Sequence, residues 1–88
     1  MCINQIWERI IEHEGEEFRT TRGLVFTYRV ISDHEIVPIR DGNERWTLTK
    51  NLFEEALSFP SLSGKEFNNK IIGASYVRGI LEDPRINR

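Results

Sequence analysis

The residues best suited to covalent or metal chemistry are few, and their spacing is poor for it. His13 and His34 stand 21 residues apart, and Cys2 is remote from both. No pair has the C-x-x-C or H-x-x-x-H spacing that lets two side chains meet one tetrahedral zinc ion. Serines gather at Ser58, Ser61, Ser63 and Ser75, yet none sits in a G-x-S-x-G elbow, where a sharp turn presents the hydroxyl to a base. A magnesium-dependent nuclease collects carboxylates around its ion. Here Asp41 and Glu44 flank one turn, Glu54 and Glu55 are adjacent, and no Glu-x-Lys occurs. These read as solvated charges, so the sequence implies no metal, no cofactor and no catalytic residue.

One further segment bears on anions. Gly73-Ala74-Ser75-Tyr76 places a glycine and a serine at a helix start, where free backbone amides can hold a negative group. It lacks the G-x-x-x-x-G-K-[ST] pattern of a P-loop, and Ser75 as a plain N-cap is the simpler expectation.

Arginine is the more informative residue type. The net charge is −2, with nine arginines against three lysines. Arginine presents a planar fork to phosphates, carboxylates and aromatic faces. Residues 1–17 set five glutamates against Arg9, a balance of −4. Residues 18–50 set Arg19, Arg22, Arg29, Arg40, Arg45 and Lys50 against Asp33, Glu35, Asp41 and Glu44, a balance of +2. The acidic run Glu12, Glu14, Glu16 and Glu17 lies at a helix C-terminal end, where carboxylates oppose the helix dipole. It is either a solvated helix end or a docking patch, for a basic partner or for arginines of this domain such as Arg19 and Arg22.

The elements that must position these charges follow from periodicity. Ile3, Ile6, Trp7, Ile10 and Ile11 have the i, i+3, i+4, i+7, i+8 spacing of one helix face, predicting a helix over about 3–14 closed by Gly15. Phe18 and Thr20 suit a short strand, and Thr21-Arg22-Gly23 a turn. Leu24 to Ile31 alternates with period two and is rich in β-branched and aromatic residues. Glu35 to Arg40 is another strand, its Pro38 expected on a sheet edge or at a non-bonded position. Asp41-Gly42-Asn43 marks a turn, and Arg45-Trp46-Thr47 a short return strand. Thr47 or Thr49 caps a helix carrying Leu52, Phe53, Ala56 and Leu57, which Pro60 stops. Ser58 to Asn69 reads as a mobile loop. Tyr76, Val77, Ile80 and Leu81 line a last helix, ended by Asp83-Pro84, and Ile86 returns the tail to the core.

The fold expected is α+β in a single domain over residues 1–88: an N-terminal helix, an antiparallel meander of two to four strands, and two C-terminal helices packed on one sheet face. At this length the core is thin, with roughly 60–65% of the unfolded surface buried. A lone terminal cysteine and the lack of an apolar run of about 20 residues point to a soluble, cytoplasmic protein. By strand alternation Arg29 and Arg40 share the outer sheet face, while Arg19, Arg22 and Arg45 crowd the turns, with Trp46 close by in sequence. Such a surface suits a phosphate backbone or single-strand bases. It suits an acidic protein surface as well, and it also suits plain solvation of an exposed sheet.

Several segments together carry a resemblance. Phe18-Arg19-Thr20-Thr21-Arg22-Gly23, Phe26-Thr27-Tyr28-Arg29-Val30, Leu48 to Leu57, Gly73-Ala74-Ser75-Tyr76-Val77 and Ile80-Leu81-Glu82-Asp83-Pro84-Arg85-Ile86 span nearly all of the chain after the first helix. In these the chain resembles small uncharacterised bacterial α+β domains sharing Phe-Thr-Tyr, Gly-x-Ser-Tyr-Val and Asp-Pro-Arg-Ile motifs. The resemblance implies a compact bacterial domain, carries over no catalytic residue, and draws Tyr76 and Arg85 into view. The plainer roles for those two are a core tyrosine and an arginine tying the tail to an acid. The expectation is a non-catalytic, nucleic-acid-associated module, monomeric or homodimeric, contacting phosphates through Arg19, Arg22, Arg29, Arg40, Arg45 and Lys50. The alternative is a protein-interaction or inhibitor module of a bacterial defence or mobile-element system.

Overall fold

Among the described residues nine short elements follow one another, and the helices share one buried core with the sheet residues Phe18, Phe26, Tyr28, Ile36 and Leu48. The computed structural model describes residues 3–62 and 64–87, so Cys2 and Ser63, both weighed above, lie outside the described residues. The order is α1 (Ile3–Glu12), β1 (Phe18–Arg19), β2 (Val25–Ser32), β3 (Glu35–Arg40), β4 (Asn43–Glu44), β5 (Leu48–Thr49), α2 (Lys50–Leu57), α3 (Lys65–Lys70) and α4 (Ala74–Leu81). The α+β class and the antiparallel meander are as periodicity predicts.

Strands run β1-β2-β3-β4, with β5 pairing the same edge of β3 beyond β4. The β2–β3 register sets Tyr28 opposite Pro38, Arg29 opposite Val37, and Thr27 opposite Ile39. Cross-strand partners share a face, so Phe26, Tyr28, Ile36 and Pro38 look toward the helices. Arg29, Val37, Thr27 and Ile39 look away. β3 is not an edge strand, and its proline is accommodated otherwise. The Pro38 carbonyl accepts from the Arg45 amide at 2.8 Å, so the Pro38 nitrogen, which points the same way in a strand, faces the break between β4 and β5. No ladder bond is lost there.

The core closes around Phe18, Phe26, Tyr28, Phe53, Val77 and Ile80, each at most 1% exposed. α1 contributes Ile6, Trp7 and Ile10 and is pinned by two side chains from its middle turns. Trp7 Nε1 donates to the Asp33 carbonyl in the β2–β3 turn at 2.7 Å, and Arg9 donates to the Ile86 carbonyl at 3.1 Å. Ile86 is buried, as the tail's apolar residue predicts. Thr49 caps α2, its hydroxyl accepting from the Leu52 amide, and the Asp41-Gly42 turn between β3 and β4 uses positive φ at both residues, 55° and 76°, the geometry of a type I′ hairpin.

Three expectations are corrected. The segment 58–69 is not all loop, because α3 forms within it around Phe67, which is wholly buried and edge-on to Phe59 at 5.6 Å. The return strand is displaced from residues 45–47 to two short pairings on either side of them. Ser75 is not the N-cap of the last helix: Gly73 is, in the left-handed region at φ 69°, and Ser75 lies inside the first turn. α4 then crosses β1 so closely that a Cβ on Gly79 would lie 2.4 Å from the Arg19 carbonyl oxygen.

Candidate functional site

At one end of the sheet the β1–β2 turn, the end of β3, α3 and α4 converge on a cleft of about 670 Å³, a size that suits a small ligand. The turn is tightly built. The Thr20 amide donates to the Leu24 carbonyl at 2.9 Å, the Thr20 carbonyl accepts from the Gly23 amide at 2.9 Å, and the Thr20 hydroxyl accepts from the Leu24 amide at 3.1 Å. Gly23 takes φ 84° to complete it, leaving Arg22 at the tip. Arg40 ends β3, one step past the outward Ile39, so its side chain starts from the helix-facing side. Arg78 sits three residues after Ser75, which places both on one ridge of α4.

Among the described residues the lining is thus Arg22, Arg40 and Arg78 with Thr21, Ser75 and Asn68, floored by Thr20 and Leu24 and without a carboxylate. Arg78 is steadied through Nε by Glu82 at 2.9 Å. Arg22 and Arg40 have no hydrogen-bond or ion-pair partner among the described residues. Two unpaired guanidinium groups beside a third that Glu82 holds only through Nε, alongside hydroxyls and an amide, form a site for a group with several anionic oxygens. Among the described residues no three His, Cys, Asp or Glu side chains cluster to hold a metal ion.

The remaining sequence-derived candidates scatter. Arg29 does lie on the outer face, but it is paired with Glu44 at 2.6 Å. Arg40 does not join it there, because β3 is offset so that Pro38, not Val37, shares a face with Tyr28. Arg19 points outward beside Val25 and donates to the Gly23 carbonyl. Arg45 is half-buried, its Nε without a partner. Lys50 opens α2 at the other end of β3, about 17 Å from Arg40 at ~3.3 Å per strand residue. Its ammonium donates to Asn4 at 2.7 Å, beside a separate hollow of about 420 Å³ that also includes His34 and Glu35. Trp46, 46% exposed, sets its ring against Tyr76 at 6.0 Å. Tyr76 itself is buried between Trp46 and Phe26.

Arg85 ties the tail down, as its plainer role predicts. It donates to Asp83, to Glu16 at 3.0 Å and to the Glu17 carbonyl at 2.6 Å, and its guanidinium lies 4.0 Å over the Phe18 ring. The acidic run therefore meets Arg85, not Arg19 or Arg22. Glu14 serves the sheet instead. Its carboxylate accepts from the Val30 amide at 2.8 Å, and the Gly15 amide donates to the Tyr28 carbonyl. Together they cover the edge of β2 beyond the short β1.

This knot titrates. Hydrogen bonds from His13 and Arg85 hold the Glu16 carboxyl below its ordinary 4.5, and bonds from Arg85 hold Asp83 below 3.8. Arg85 is raised in turn, chiefly by Asp83. Folded-state values below the unfolded ones mean stability present above about pH 4.5 and lost as acid protonates both groups. Arg85→Met is expected to cost about 1–2 kcal/mol at pH 7, a charged hydrogen-bond set discounted for partial exposure. The gap from the parent protein should narrow by pH 3 in thermal melts, and a gap independent of pH would show that the carboxylates contribute nothing.

Sequence reasoning missed Arg78, and although it grouped Arg22 with Arg40 it set Arg40 on the outer sheet face beside Arg29. The Ser75–Arg78 spacing was a usable signal for the first. Nothing local links the β1–β2 turn to the end of β3. Set against protein-family models, curated proteins and solved structures, the chain matches none of them.

Proposed function

We propose that the chain is a small non-catalytic binding module that associates with nucleic acid through the arginine cleft. The observation that carries this reading is a cleft lined by three arginines and, among the described residues, no carboxylate, with Arg22 and Arg40 unpaired and Arg78 bonded to Glu82 through Nε alone. Phosphate contacts of this kind release condensed counterions, so affinity falls with salt in proportion to their number. The acidic surface of residues 12–17 confines a polyanion to this end of the molecule, since like charge repels it elsewhere.

A labelled oligonucleotide titrated by fluorescence anisotropy tests it. With three phosphate contacts, log affinity against log salt has an expected slope of about −2 on a single strand. Removing Arg22 and Arg40 together should weaken binding and bring that slope to about −0.7. Absence of binding at low salt, or an unchanged slope in the double variant, sinks the reading.

The outer sheet face favours a second reading, a protein-interaction module. No helix of the described residues packs there, and Val25 and Ile31 are 38% and 45% exposed around the Arg29–Glu44 pair. Pull-down from lysate with and without nuclease separates the two, since a protein partner persists after nuclease treatment.

A further inference from the structure

The cleft has an aromatic neighbour that a phosphate site alone does not require. Trp46 lies over the start of α4: a Cβ on Gly73 would come within 2.7 Å of the Trp46 indole nitrogen, and the ring is edge-on to Tyr76. Ser75, between those two positions, opens onto the cleft. At 3.6 residues per turn, Ser75 and Tyr76 are about 100° apart around the helix. The exposed indole and the arginine cleft therefore flank the same helical turn. The contact with Tyr76 holds the ring in place while 46% of the residue stays open to solvent. A fixed, exposed aromatic beside a cationic groove is the combination that binds single strands, because the aromatic stacks on any base while arginines follow the backbone. In a duplex each base is already stacked on its neighbours and offers Trp46 no free face.

We propose that the protein selects single-stranded over duplex nucleic acid, stacking one base on Trp46 while adjoining phosphates occupy the cleft of Arg22, Arg40 and Arg78. This rests on the nucleic-acid reading above and adds the form of nucleic acid recognised.

The test compares three probes at equal low salt: a labelled oligothymidylate, a duplex of mixed sequence, and inorganic polyphosphate. Oligothymidylate should bind at least tenfold more tightly than the duplex. Trp46→Leu should weaken the single-strand complex by about 5- to 100-fold, the loss for one stacked base, and leave polyphosphate affinity within twofold. Because Trp46 also packs on Tyr76, its variant is checked by thermal melt, and the unmodified protein supplies an independent readout. Trp7 is 3% exposed, so quenching of tryptophan fluorescence by oligothymidylate reports Trp46. Equal affinity for single strand and duplex, or no quenching on saturation, overturns the proposal. If polyphosphate and duplex bind with a steep salt dependence in that case, the nucleic-acid reading stands and only strand selection fails. If none of the three probes binds, both fail together.

Discussion

Replacing Phe67 with alanine is expected to remove about 3–5 kcal/mol of stability, the cost of truncating a fully buried phenylalanine. The ring is wholly buried and meets Phe59 edge-on, and α3 around it has six residues and no side-chain cap. Helices that short do not persist on their own in water. α3 thus exists because Phe67 is anchored, and truncation should melt the helix as well as leave a cavity. Against a total of about 5–15 kcal/mol for a domain, the loss is severe. At about 4–8 °C per kcal/mol for a domain of this size, the melting midpoint should fall by about 12–40 °C. Urea unfolding followed by circular dichroism measures it. A loss below about 1 kcal/mol would mean that Phe67 and Phe59 are not packed as described.

Gly79→Ala should cost about 2 kcal/mol, against the usual direction of this substitution in a helix. Alanine is favoured over glycine by about 1 kcal/mol in a helix interior. Here the new methyl would meet the Arg19 carbonyl oxygen at 2.4 Å and the Thr20 backbone at 3.3 Å. Backbone atoms of a paired strand cannot swing aside as a side chain does, so α4 and β1 must separate, at about 3 kcal/mol, the upper end of overpacking costs, which leaves about 2 kcal/mol net of the helical gain. The displaced Thr20–Leu24 turn carries Arg22, and polyanion affinity should fall with stability. A variant as stable as the parent protein would show that the helix and strand are less closely apposed. Substitution of Gly64, where nothing lies within 4 Å, provides the contrasting case.

These two positions show where local pattern stops being informative. Phe67 stands alone in a polar stretch, Lys65 to Lys70 with two asparagines, so no period of 3.6 emerges and a loop is the natural reading. Its partner Phe59 lies beyond Pro60, and only packing pairs them. Gly79 in a helical run reads as a weak point, until the strand that touches it is identified.

Local pattern was sufficient for the class of fold, the first helix, the two long strands and the burial of Ile86, and it narrowed the α2 cap to Thr47 or Thr49, of which the structure uses Thr49. Those features rest on periodicity, turn chemistry and capping, which act over a few residues. Alternation gives the wrong face for β3 because Ile36 to Ile39 is apolar on both sides, and a pattern cannot orient a strand whose two faces look alike. Register with β2 decides it, and with it the placement of Arg40 beside Arg22. The cleft depended on that placement. Arg22, Arg40 and Arg78 are spread over 57 positions of the sequence, and they meet because the meander returns the end of β3 to the β1–β2 turn while Gly79 lets α4 lie against β1. Charge composition showed that arginines matter in this chain. Long-range packing decided which of them act together, because convergence of distant residues is a property of register and close approach and leaves no local trace.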